Sequence, residues 1–250
     1  MGHCIQHTQC PNCAKQGKDR AGNNLAIYSD NSSFCFSCNY YTTKNNKKTI
    51  SQSSKRKQRT ISLPSDSSLT IPIEIKQNFL TKYGITNEDC TKHSIMWSSY
   101  YQRLYFPILY EGELLGYLGR YCGNNPTNPK WYSHGDLGKI IHPIGNETST
   151  LLVLTEDIIS AIKVSHLNNI LCIPLFGSHI SNLQWLRLKL LYPNHKIILW
   201  LDKDKEKESI KFVYTGKQLG INCWSVITTE DPKALDEQEI KKVLDIHLKT

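Results

Sequence analysis

Hydrophobic and polar positions give this chain three textures. The last hundred residues alternate short apolar runs with amphipathic stretches. Leu151-Leu152-Val153-Leu154-Thr155 is an unbroken apolar run of strand length, the pattern of a strand buried on both faces. Over residues 156–167, Ile158, Ile159, Ile162 and Val164 fall on or near one side of a helix. The alternation continues with strands over 170–174, 196–201 and 221–227 and helices over 180–191, 209–219 and 235–248. Four βα units in a row predict a four-stranded parallel sheet with helices on both faces.

The middle of the chain reads differently. Residues 73–82 carry Ile75, Phe79 and Leu80 at helical spacing, and Gly84 after Tyr83 is placed as a C-cap. Thr86 to Asp89 is a T-x-x-D capping box for a second short helix. Strands over 103–109 and 114–121 flank the turn Tyr110-Glu111-Gly112-Glu113. This predicts a mixed α+β segment. Nearer the start, Leu25, Ile27, Tyr28, Phe34 and Phe36 suit a small β-ribbon turning at Asp30-Asn31-Ser32. Residues 44–69 show no apolar period and are rich in Ser, Asn, Gln and Thr, a linker composition. The expected organisation is a ribbon domain (1–43), a flexible basic linker (44–69), a mixed subdomain (70–149) and an α/β domain (150–250).

Charge sharpens that division. The formal net charge is +8, and +7 of it lies in residues 44–59, which hold Lys44, Lys47, Lys48, Lys55, Arg56, Lys57 and Arg59 and no acid. The excess is therefore a basic tether between nearly neutral parts, able to bind phosphates without sequence preference. Lys55-Arg56-Lys57 also has the form of a nuclear-localisation patch. No run of eighteen apolar residues and no apolar leader is present, so neither a membrane span nor a secretion signal is expected. Nine cysteines without a secretion signal argue for metal ligation over a disulfide scaffold.

The candidate chemistry has three parts. Cys10-Pro11-Asn12-Cys13 and Cys35-Phe36-Ser37-Cys38 are two C-x2-C knuckles, and two knuckles supply the four thiolates of a structural Zn²⁺ site. His3, Cys4 and His7 lie nearby, but the four knuckle cysteines suffice. Glu156, Asp202, Asp204 and Asp231 follow three predicted parallel strands, and ligands bind at the carboxyl ends of such strands. Acids gathered there favour Mg²⁺ or Mn²⁺ and phosphoryl transfer. Arg120 and Lys130 flank a stretch that leads into Trp131 and Tyr132; cations can grip phosphates while rings stack on bases.

Taken together, these motifs resemble the bacterial and phage DNA primases, above all the primase half of short-tailed phage primase–helicases. The resemblance covers essentially the whole chain. Cys10-Pro-Asn-Cys13 with Phe34-Cys35-Phe36-Ser37-Cys38 is similar to the family's zinc ribbon. Residues 152–156 resemble the TOPRIM strand that leads to a catalytic glutamate, and residues 197–204 the strand with its D-x-D pair. Asp231-Pro232-Lys233 resembles the later acidic turn. There are departures: Asp157 and Ser160 stand where TOPRIM domains commonly carry Gly and Asp, and Ser32 stands where a related phage primase has a template-reading His. No G-x-x-x-x-G-K-[ST] motif occurs, so a helicase motor is expected on a separate chain, if one is used.

The resemblance implies a zinc ribbon tethered to a TOPRIM-type core, making short RNA primers on single-stranded DNA. Glu156, Asp202 and Asp204 would be catalytic, with Asp231 joining them as Mg²⁺ ligands. Arg120 and Lys130 would bind nucleotide and phosphate, and Asp30 and Ser32 would meet the template. Partners would be single-stranded DNA, nucleoside triphosphates and a separate replicative helicase and polymerase, with no membrane, in the cytoplasm of a phage-infected bacterium. Two other readings use the same features: a TOPRIM metal-dependent nuclease, and a non-catalytic DNA-binding recombination mediator.

Overall fold

The computed structural model describes residues 4–35, 37–38, 40–43, 46–49 and 61–248. The chain divides into two compact units, Met1–Thr60 and Ile61–Thr250.

The first unit is an antiparallel sheet of five strands in sequential order. They are β1 (Cys4–Thr8), β2 (Leu25–Tyr28), β3 (Ser33–Cys35), β4 (Tyr40–Thr43) and β5 (Asn46–Thr49), with a one-turn helix α1 (Pro11–Lys15) after β1. The ribbon expected from Leu25, Ile27 and Phe34 is the β2–β3 hairpin. Its tip is set by Asp30, whose Oδ1 accepts from the Ser32 backbone N–H at 3.0 Å and from Ser32 Oγ at 2.6 Å. Phe36 lies outside the described residues, as do Lys44, Lys55, Arg56, Lys57 and Arg59 of the linker. Regular structure also runs further than expected, because β5 pairs with β4 inside the stretch read as linker.

The second unit has two sheets. It opens with α2 (Ile73–Ile75), which runs on through a π-helical turn, Lys76–Leu80, and a 3-10 turn, Thr81–Tyr83. Gly84 closes it at φ 68°, a left-handed cap that glycine adopts without strain. Then α3 (Asn87–Lys92) begins at Thr86 with both bonds of the capping box formed. The first sheet is antiparallel, in the order β6 (Met96–Ser98), β7 (Arg103–Tyr110), β8 (Glu113–Tyr121) and β9 (Trp131–His134). Gly116 in β8 is required by close approach: a Cβ there would lie 2.5 Å from the backbone oxygen of His134 in β9.

The second sheet adds β10 (Ile144–Gly145), β11 (Leu151–Thr155), β12 (Leu171–Pro174), β13 (Lys196–Trp200) and β14 (Cys223–Ser225), in the order β10-β12-β11-β13-β14. The four parallel strands are those read from the sequence; β10 adds a short antiparallel edge against β12. The helices are α4 (Ile158–Ser165), α5 (Asn182–Leu191), α6 (Glu206–Gln218) and α7 (Glu237–Leu248). Helix α4 starts at Ile158 rather than at Glu156 because Asp157 is its N-cap, accepting from the Ser160 backbone N–H at 3.0 Å.

Alternation along the strands explains the layers. Leu151, Val153, Ile198 and Trp200 face a core shared with α4, α7 and the antiparallel sheet (Leu104, Phe106 and Ile108). Leu152, Leu154, Ile197 and Leu199 face a second core with Trp185 and Leu188 of α5 and Val213 of α6. The segments 70–149 and 150–250 thus share one interior. From β11 the chain crosses through α4 to β12 on one side, then returns through α5 to β13 on the other. The carboxyl ends of β11 and β13 therefore form a topological switch point, where open α/β sheets bind ligands. Among the described residues, no helix is long and apolar enough to cross a membrane.

Candidate active site

In the first unit the four knuckle cysteines converge. The sulfurs of Cys10, Cys13, Cys35 and Cys38 all lie within 4.8 Å of one another, with Cys10–Cys38 at 3.5 Å and Cys13–Cys35 at 3.7 Å. Four 2.3 Å Zn–S bonds in a tetrahedron place sulfurs about 3.8 Å apart, so the set fits a structural zinc ion. Asp19 holds the first knuckle in place: it is buried, and its Oδ2 accepts from the Cys10 backbone N–H at 2.7 Å. That bond holds the Asp19 carboxyl below its ordinary pKa. Asp30 and Ser32 sit at the exposed hairpin tip, bonded to each other.

In the second unit the switch point carries the acids. Glu156 follows β11, Asp202 follows β13, and Asp231 follows β14. All three line a cleft of about 540 Å³. Burial first, then the nearby Asp202 charge, push the Glu156 carboxyl up to about 6. Burial also raises Asp202, against the opposing effect of Lys233. Glu156 Oε2 and Asp202 Oδ1 are both buried without a hydrogen-bond partner. Two unsatisfied carboxylate oxygens are costly to bury unless something cationic meets them, and this donor pair fits an oxygen-seeking divalent cation that fills its other positions with water or phosphate.

Asp204 is placed differently from its D-x-D partner. Its side chain is 68% exposed and pairs with Lys205 at 2.7 Å, and it does not line the cleft. The D-x-D spacing falls in a 3-10 turn, Lys203–Lys205, which turns the second carboxylate outward. Among the described residues, the four cysteines are the only group of three or more ligand residues close enough to share one ion.

The opposite wall of the cleft comes from β8 and β9 with the π-helical turn. The Arg120 guanidinium lies between two rings, 5.0 Å from the Phe79 centroid and 5.5 Å from that of Trp131. Its Nε is buried without a partner, and burial lowers its pKa. No carboxylate pairs with it among the described residues. Lys130, Trp131 and Tyr132 complete this wall. Arg103 is a contrast: it donates to the backbone oxygens of Gly119 at 3.1 Å and Pro129 at 2.9 Å, so it braces the β8–β9 loop.

Three residues here carry no site role in the sequence reading. Lys233 lies among the carboxylates, donating to Asp202 at 2.7 Å and Asp157 at 2.9 Å. Phe79 was assigned only to a helix core. Phe176, also lining the cleft, sits at φ 56°, a left-handed conformation strained for a bulky side chain. For Lys233 the sole local signal was one lysine beside Glu230-Asp231-Pro232.

No family model matches the sequence, and no curated protein matches it. Solved structures do. The primase fragment of the bacteriophage T7 primase-helicase protein aligns over 98% of this chain and 100% of its own, at 16% identity and a TM-score of 0.53. The zinc-binding and RNA polymerase domains of the Aquifex aeolicus primase align over 96% of this chain and 78% of theirs, at 15% identity and a TM-score of 0.47. The first likeness shows the fold: this chain is built like that primase fragment over nearly all of its length.

Proposed function

We propose that this chain is a DNA-directed RNA primase, joining nucleoside triphosphates into short RNA primers on single-stranded DNA. The observation that carries the reading is the cleft of the second unit. One wall holds buried, unsatisfied carboxylate oxygens; the other holds an unpaired guanidinium and exposed rings. A nucleotide matches both walls, because its phosphates need cations and its base needs a flat apolar surface.

In this reading Arg120 and Lys130 take the triphosphate, and Trp131 and Tyr132 stack on a base. Phe79 and Trp131 fix the guanidinium plane, so phosphate meets a donor that is already oriented. The 3′-hydroxyl of one nucleotide attacks the α-phosphorus of the next, the P–O bond to the β-phosphate breaks, and pyrophosphate leaves. Glu156 Oε2 and Asp202 Oδ1 would hold Mg²⁺ or Mn²⁺, with Asp204 and Asp231 as outer carboxylates. Bound there, a divalent ion neutralises phosphate charge as the bond changes. Glu156 would hold the ion or help take the hydroxyl proton. The ribbon, tipped by Asp30 and Ser32, is assigned to the template. The working partners are single-stranded DNA and a separate helicase and polymerase, in the cytoplasm of a phage-infected bacterium.

The test is primer synthesis with single-stranded DNA, labelled ribonucleotides and Mg²⁺. Products a few nucleotides long are expected from the native chain and none from Asp202→Ala with Asp204→Ala. Full activity in that double variant would sink the mechanism, and DNA cleavage that needs no nucleotide would replace it with a nuclease.

A further inference from the structure

Lys233 divides the acidic edge into two halves. Its ammonium is 2.7 Å from Asp202 Oδ2, 2.9 Å from Asp157 Oδ2 and 3.4 Å from Asp231 Oδ2. Those carboxylates follow three different parallel strands. The lysine reaches them because the chain after β14 returns as a 3-10 turn, Pro232–Ala234, that packs against α4. Its side chain is 21% exposed; it donates hydrogen bonds to Asp202 and Asp157 and forms an ion pair with Asp231. On the other side of the same Asp202 carboxylate, Oδ1 is buried and unpartnered, as is Glu156 Oε2. One half of the edge is thus met by a cation covalently part of the chain, and the other half is open.

Two-ion phosphoryl-transfer sites hold their cations about 3.5–4 Å apart, with a shared carboxylate between them. Asp202 is suited to be such a bridge, because Oδ2 is taken by Lys233 while Oδ1 is left without a partner. We propose that Lys233 stands in the place of one of two divalent cations, so that this chain loads a single ion, at Glu156 and Asp202. The proposal rests on reading the cleft as a nucleotidyl-transfer site. Charge supports it: Glu156, Asp157, Asp202 and Asp231 with Lys233 leave an excess of three negative charges at the edge, the facing Arg120 and Lys130 cut it to one, and one divalent ion already outweighs that remainder. A second divalent ion would overshoot before any nucleotide arrived.

The experiment counts Mn²⁺ bound to the full, zinc-loaded chain by electron paramagnetic resonance, scoring only ions lost in Asp202→Asn. One ion per chain is expected for the native protein and for Lys233→Arg. Two are expected for Lys233→Ala, whose vacated carboxylates become a second site. Two ions in the native chain, with primers made, would overturn the proposal and leave the primase reading standing. One ion in both the native chain and a folded Lys233→Ala, judged by its melting transition, would also overturn it. No Asp202-dependent ion together with no primer synthesis would instead overturn the reading beneath it. If Lys233→Ala does not fold, Lys233→Met keeps most of the side-chain length without the charge and takes its place, with the same two-ion expectation.

Discussion

Replacing Arg120 with Met tests the wall opposite the acids, because it removes the charge and keeps the stem that packs between Phe79 and Trp131. Two effects on stability oppose each other. Losing contact with two rings, at 5.0 and 5.5 Å, costs about 1–2 kcal/mol. Removing a buried donor that has no partner, Nε, returns about 1–3 kcal/mol. The fold should therefore change by between about 1 kcal/mol lost and about 2 kcal/mol gained, a melting shift of a few degrees. Binding has no such offset. A charge-assisted bond to phosphate is worth about 1.5–3 kcal/mol, so KM for the nucleoside triphosphate should rise about 10- to 150-fold. Initial rates against nucleotide concentration, with a melting curve on the same sample, read both quantities. A folded Arg120→Met chain with unchanged KM would refute the assignment of this guanidinium to phosphate.

Glu156→Gln should raise the melting temperature of the divalent-free chain at pH 7 and abolish synthesis. The folded carboxyl is raised to about 6 from an ordinary 4.5, so its ionised form penalises folding fully above pH 6 and not at all below 4.5; the advantage of the variant should vanish over that window. An advantage that persists at pH 4 would contradict the shift. Removing zinc with a chelator, or Cys35→Ser, should unfold the ribbon while residues 61–250, with cores of their own, keep their melting transition; a single transition lost as a whole would argue against independent units. Changing the seven cations of residues 44–59 to Gln should flatten the salt dependence of single-stranded DNA binding by up to about 5 in log–log slope, at about 0.7 per phosphate contact. An unchanged slope would mean that these side chains do not meet the backbone.

The sequence carried the parts of this molecule whose signals are local. The knuckles Cys10–Cys13 and Cys35–Cys38 could be read because both ligands of each pair sit in one turn. The strand β11 and the acid after it could be read because a doubly buried strand is an apolar run and the switch point lies at its end. Local capping also told: Thr86 with Asp89 formed the box its spacing promised. What stayed hidden depends on residues far apart. Lys233 joins Asp157 and Asp202 across 76 and 31 positions, so no window of sequence shows the contact. Asp19 reaches back to Cys10 from a loop without periodicity. The outward turn of Asp204 follows from the 3-10 turn after β13, where D-x-D spacing alone cannot tell strand from turn. The edge strand β10, two residues long, is too short to give a pattern.

The central claim is that the cleft joins nucleotides, and it is tested most directly by following the label of a nucleoside triphosphate. With a single-stranded DNA template and Mg²⁺, α-labelled nucleotide should enter an alkali-sensitive dinucleotide, and γ-labelled nucleotide should release its label in pyrophosphate when it is the second to join. Asp202→Asn should abolish both signals. Label that never enters product, with DNA shortened whether or not nucleotides are present, would contradict the account.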